Sequence, residues 1–104
     1  MKIYIVHWAS YRRLDFSDGP FFSRDMTDVK AVCSTLGRAK KVMKRKLTNH
    51  RHRAKVSISA IINQGPNEAL FPVKEGYVGY FISCHTVDAD GTYTPEGRLR
   101  KYGR

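Results

Sequence analysis

The sequence predicts an α+β domain in which one basic amphipathic helix packs on an antiparallel sheet of four to five strands. Three observations carry this expectation. Only the stretch from Leu36 to Leu47 repeats apolar residues at three- and four-residue steps. Runs rich in β-branched and aromatic residues stand before and after it, at 2–8, 54–64 and 77–87. Turn chemistry at Gly65-Pro66-Asn67 and Asp88-Ala89-Asp90-Gly91 follows the last two runs, as chain reversal requires. With 104 residues, of which 41% are hydrophobic, the chain has the size and composition of one folded domain rather than a disordered tail. Residues 1–97 are expected to form that domain, and 98–104 (RLRKYGR) a basic mobile tail.

Each element has its own local reason. In KIYIVHW (2–8), Ile3 and Ile5 share one face and Tyr4, Val6 and Trp8 the other, which predicts a central strand covered on both sides. Residues 9–28 mix Asp18-Gly19-Pro20 with Phe16, Phe21 and Phe22, and read as a long loop or irregular hairpin. VKAVC (29–33) reads as a short second strand. Ser34 or Thr35 can cap the helix that follows, because a hydroxyl satisfies a free amide of the first turn. Leu36, Ala39, Val42, Met43 and Leu47 then draw one stripe, and the helix is expected to end within Thr48–Arg53. In AKVSISAIINQ (54–64), alternation places Val56, Ile58, Ala60 and Ile62 inward and Ser57 and Ser59 outward, as in a strand. Residues 68–76 read as a connection, with Leu70 and Phe71 against the core edge. YVGYFISCHTV (77–87) is the next strand, and Asp88–Gly91 turns it back through Thr92–Thr94.

Charge is distributed unevenly. No acidic residue lies between Asp28 and Glu68, yet that window holds Lys30, Arg38, Lys40, Lys41, Lys44, Arg45, Lys46, Arg51, Arg53 and Lys55. The chain has 19 Lys+Arg against 9 Asp+Glu, so outside the window the two signs balance and the whole net charge of +10 belongs to one segment. A field of this kind attracts polyanions and acidic protein surfaces. No apolar run approaches the roughly 18 residues of a membrane span. The opening MKIYIVHW lacks a small-residue cleavage site, and Cys33 and Cys84 are too few for a disulfide framework. A cytoplasmic protein with two free thiols is therefore expected.

The motifs that carry chemistry are weak. His50, His52, Cys84 and His85 are ligand types that zinc accepts, but their spacing matches no zinc unit and arginines surround the first two. Asp88-x-Asp90-Gly91 opens like a calcium loop without the later oxygen ligands. Asp15, Asp18, Asp25 and Asp28 are of the residue type that holds Mg²⁺ in a nuclease, which makes metal-dependent cleavage a third hypothesis. No nucleophile elbow, phosphate-binding loop or dinucleotide fingerprint is present, so neither catalysis, nor a cofactor or metal, nor a small-molecule substrate is expected. Lys74-Glu75-Gly76-Tyr77-Val78-Gly79-Tyr80-Phe81 has a likeness to the RNA-recognition-motif signature, but an extra residue separates its glycines and no second helix follows. Tyr77 and Phe81 would stack bases only if their face is open.

The leading expectation is a small non-catalytic protein that binds RNA or DNA phosphates. Its contacts would be Arg38, Lys40, Lys41, Lys44, Arg45 and Lys46 on the helix, then Arg51, Arg53 and Lys55 in the following HRHRAK segment. The alternative belongs to another class: an inhibitor or adaptor of the phage or mobile-element type, binding an acidic surface of a host defence or transcription complex. Its anchors would be Tyr11, Arg12, Arg13, Phe16, Phe21 and Phe22, since aromatics and arginine dominate binding hot spots.

Overall fold

Lys2 to Cys33 form one long antiparallel hairpin that reverses at Ser17-Asp18. In the computed structural model, which describes residues 1–87 and the strand 93–95, its arms are β1 (Lys2–Phe16) and β2 (Gly19–Cys33). Gly19 completes the reversal with φ of 120°, a value that side chains with a Cβ rarely adopt. The pairing runs from Tyr4 opposite Cys33 to Phe16 opposite Gly19. The hairpin branch of the expectation for 9–28 therefore holds, and both arms are longer than the local composition indicated.

The other edge of β1 pairs with β5 (Gly76–Val87), from Lys2 opposite Thr86 to Tyr11 opposite Tyr77. β5 pairs in turn with β4 (Glu68–Val73), and β4 with the two-residue β3 (Ile62–Asn63). The antiparallel order is β2-β1-β5-β4-β3, and the short β6 (Tyr93–Pro95) pairs with β5 at Val87 to His85. The Asp88–Gly91 turn and the 98–104 tail lie outside the described residues.

One helix, α1 (Leu36–Arg53), lies across this sheet. Thr35 caps it, its hydroxyl accepting from the Arg38 amide at 3.2 Å. The apolar stripe faces the sheet as expected. Ala39, Met43 and Leu47 are buried against Val6, Phe71 and Tyr80, with Tyr4, Trp8, Val42 and Ile82 packed around them. Burying one such large apolar side chain is worth about 1.5–3 kcal/mol. Cys33 belongs to this core, Cys84 is half-buried, and no disulfide joins them. Among the described residues no helix is long and apolar enough to cross a membrane.

Two expectations are corrected. Residues 54–64 are not a strand. Ser57 instead caps a 3₁₀ turn at Ile58–Ala60, its hydroxyl accepting from the Ser59 amide, and only Ile62 and Asn63 join the sheet. Ile58, expected inward, is 70% exposed, while Val56 and Ile61 pack on the core. Hydroxyl capping produced the same serine spacing that an alternating strand would show. Residues 68–73 are a strand rather than a connection, and Leu70 and Phe71 have no exposed surface at all. Pro72 is tolerated because it stands next to the end of β4, before the turn into β5.

The end of α1 yields a first prediction. The Lys55 amide donates to the His52 carbonyl and the Val56 amide to the Arg51 carbonyl, the pair of bonds of a Schellman cap. Lys55 sits in the left-handed region with φ of 58°, where glycine is preferred. Lys55→Gly should therefore stabilise the fold by about 0.5–1 kcal/mol in urea denaturation. A loss of stability would show that the lysine side chain holds this cap.

A candidate nucleic-acid interface on the helix

A helix packed by one stripe must offer the opposite surface to solvent, and here that surface is cationic. Arg38, Lys41 and Arg45 lie opposite Met43, and all three are exposed. Lys40 and Lys44 are exposed along one flank, and Lys46 is half-buried on the other. Arg53 and Lys55 continue the exposed charge past the last turn. Among the described residues the ion pairs are Arg12–Asp25, Arg13–Asp15, Arg24–Glu68 and Lys30–Asp28, so no helix cation is neutralised by a carboxylate. The positive residues at the C-terminal end also suit the negative pole of the helix dipole.

Arg51 differs from the rest of the expected set. Its guanidinium donates to the Val56 carbonyl at 2.8 Å and lies 3.0 Å from His52 Nε2, so it ties the loop to the helix end. The six residues of the alternative set do not form one patch. Tyr11 is 5% exposed, and its hydroxyl donates to Glu68 Oε2 at 2.7 Å on the sheet face away from α1. Phe22 packs edge-on against Tyr77 at 4.8 Å. Arg12 and Arg13 hold exposed ion pairs, which contribute about 0–1 kcal/mol each. Phe16 and Phe21, 59% and 53% exposed, remain as apolar rings at the hairpin tip.

The aspartates are spread along the hairpin, three of them paired with Arg13, Arg12 and Lys30. Among the described residues no group of three His, Cys, Asp or Glu side chains is placed to hold a metal ion.

Sequence reasoning missed the polar network on the face away from α1. Residues opposite one another in the sheet share a face, and His7 faces Phe81 while Tyr11 faces Tyr77. The His7 ring stacks on Phe81 at 4.4 Å, and the Arg24 guanidinium lies 3.5 Å from the same ring centroid. Phe81 is thereby buried and is not a platform for bases. Ser83 Oγ lies 2.7 Å from His7 Nε2 and 2.6 Å from His85 Nε2. A hydroxyl has one proton, so with both rings neutral one Nε2 accepts and the other donates, and the two imidazoles carry different tautomers. Burial, and beyond it His85 and Arg24, holds the His7 pKa down, while burial and Glu68 push the Tyr11 hydroxyl far up. The network satisfies polar groups on this face of the sheet. Its only sequence signal is that His7, Ser83 and His85 interrupt otherwise apolar runs, and pairing across 76 positions is needed to bring the first two together.

His50 gives a pH prediction. It lies edge-on to Phe71 and 3.1 Å from the Tyr80 hydroxyl, and burial, then Arg53 and Lys30, lower its pKa below the ordinary 6.5. The unfolded chain thus takes up this proton more readily than the folded one. The contribution to stability is complete above about pH 6.5 and is lost as pH falls below it. The urea midpoint should drop between pH 7.5 and 5.5, and His50→Gln should make that drop shallower. An equally steep drop in the variant would clear His50 of the effect.

No protein family, curated protein or solved structure matches this chain.

Proposed function

We propose that this chain is a small non-catalytic nucleic-acid-binding protein that engages RNA or DNA phosphates through the exposed face of α1 and the Arg53–Lys55 segment beyond it. One observation carries the reading. Arg38, Lys40, Lys41, Lys44 and Arg45 stand together in solvent with no carboxylate paired to any of them among the described residues. Like charges spaced i,i+4, such as Lys40–Lys44 and Lys41–Arg45, destabilise a helix by a few tenths of a kcal/mol per pair. A surface that only needed to be soluble would mix signs.

The test is a salt titration of binding to random-sequence oligonucleotides, single- and double-stranded, RNA and DNA. Log K should fall linearly with log salt, by about 0.7–0.9 per phosphate contacted. Five contacts on α1 correspond to a slope of roughly −3.5 to −4.5. No binding at low salt, or binding indifferent to salt, would refute the reading.

The exposed Phe16 and Phe21 support the second reading, an inhibitor or adaptor of the phage or mobile-element type that docks on an acidic surface of a host complex. An isolated two-stranded tip is marginal by itself, and apolar rings at its end are of the kind that partners bury. On that reading a protein partner survives nuclease treatment of a host lysate, and Phe16→Ser with Phe21→Ser releases it.

A further inference from the structure

The second flank of α1 is concave rather than flat. Lys46, Asn49 and Arg53 recur at i, i+3 and i+7, so they stand in one row along the helix. That row lines a cavity of about 200 Å³ together with Lys30 from β2 and Tyr80 from β5. Lys30 reaches it through a break in the ladder. Val6 pairs with Ala31 and His7 with Val29, which leaves Lys30 as the extra residue of a β-bulge. Bulges re-aim a side chain in this way. Tyr80 is a buried residue fixed from behind, its hydroxyl 3.1 Å from His50 Nδ1.

We infer that this cavity binds a phosphate monoester, the terminal phosphate of a nucleic-acid strand. Three cations from two elements converge on one small concavity that, among the described residues, no carboxylate lines. Asp28 pairs with Lys30 at 3.1 Å, but its own side chain is largely exposed, and such surface pairs yield readily to a stronger anion. Burial is the main cause that lowers the His50 pKa and raises that of Tyr80, and Lys30 and Arg53 are both close enough to add to the first shift and oppose the second. Running backbone phosphates carry one charge each and suit the open outer face of α1. A terminal phosphate carries about −1.5 to −2 at pH 7, concentrated at one point with three acceptor oxygens. The guanidinium of Arg53 and the amide of Asn49 supply directional donors for those oxygens, and the two lysines supply charge.

The identity of the strand rests on the nucleic-acid reading of α1; the phosphate chemistry of the cavity does not. The test compares one short oligonucleotide with a 5′-phosphate, a 3′-phosphate or neither, with inorganic phosphate and a nucleoside 5′-monophosphate as separate ligands. The parent should prefer a phosphorylated end by about tenfold, the effect of one charge-assisted hydrogen bond. Lys30→Gln with Asn49→Ala, two lining residues outside the α1 contact set, should remove most of that preference, keep binding to the unphosphorylated strand and leave the circular dichroism unchanged. Variants of the outer face should weaken all three strands and keep the ratio. Salt-dependent binding with no preference in the parent, or a preference untouched by the double variant, overturns the cavity and spares α1. If no strand binds but inorganic phosphate raises the melting temperature of the parent and not of the double variant, the cavity stands and the nucleic-acid reading falls.

Discussion

Gly79→Ala should leave the protein largely unfolded under mildly denaturing conditions where the parent is fully folded. Gly79 is buried in β5, opposite Ala9 of β1 on one side and Leu70 of β4 on the other. A Cβ added there would meet the Ala69 carbonyl oxygen, and would lie 2.6 Å from Leu70 Cα and 2.7 Å from Leu70 Cβ. These are backbone or backbone-attached atoms of the paired strand, so no rotamer change relieves the overlap. Overpacking of well-packed cores costs roughly 1–3 kcal/mol where side chains can shift. Here β4 itself must move, and the loss should reach about 3 kcal/mol or more, a large part of the roughly 5–15 kcal/mol that stabilises a domain. Urea denaturation followed by circular dichroism measures it. An unchanged midpoint would mean that β4 and β5 do not approach this closely.

The second large effect concerns binding. Replacing Lys41, Lys44 and Arg45 together with Gln removes three exposed cations and no part of the apolar stripe. The fold should persist, with helicity equal or slightly higher as repulsion is relieved. Affinity for nucleic acid should fall, and the slope of log K against log salt should flatten by about 2–3 units, three contacts at 0.7–0.9 each. Unchanged affinity and slope would show that the outer face of α1 is not the interface. Lys41→Gln alone serves as the folded control, with an expected change of about 0.7–0.9 in slope.

What the sequence disclosed follows from the range of the interactions. The helix was legible because Leu36, Ala39, Val42, Met43 and Leu47 share a period that no other segment repeats, and its cations were legible because they are contiguous with that period. Ser57 and Ser59 misled because a capping hydroxyl and an outward strand position have the same spacing. β4 was hidden by Glu68 and Pro72, which lower strand character, although Leu70 and Phe71 between them are the most deeply buried residues of the element. The approach of Lys30 to Lys46 and Arg53 depends on a bulge, and the meeting of His7 with Ser83 depends on register between distant strands. Neither is written in local composition.

The placement of β5 between β1 and β4 also sets a timetable. Position 2 pairs with position 86, a separation of 84, so β1 keeps one edge open until nearly the whole domain has been synthesised. A ribosome adds about 5–20 residues per second, which makes that interval roughly 4–17 s. A hairpin of β1 and β2 closes in about 1–10 μs once its residues are available. For seconds, then, the nascent chain carries a formed two-stranded ribbon with an unsatisfied inner edge, and the arrival of β5 both completes the ladder and ends that exposure to wrong partners.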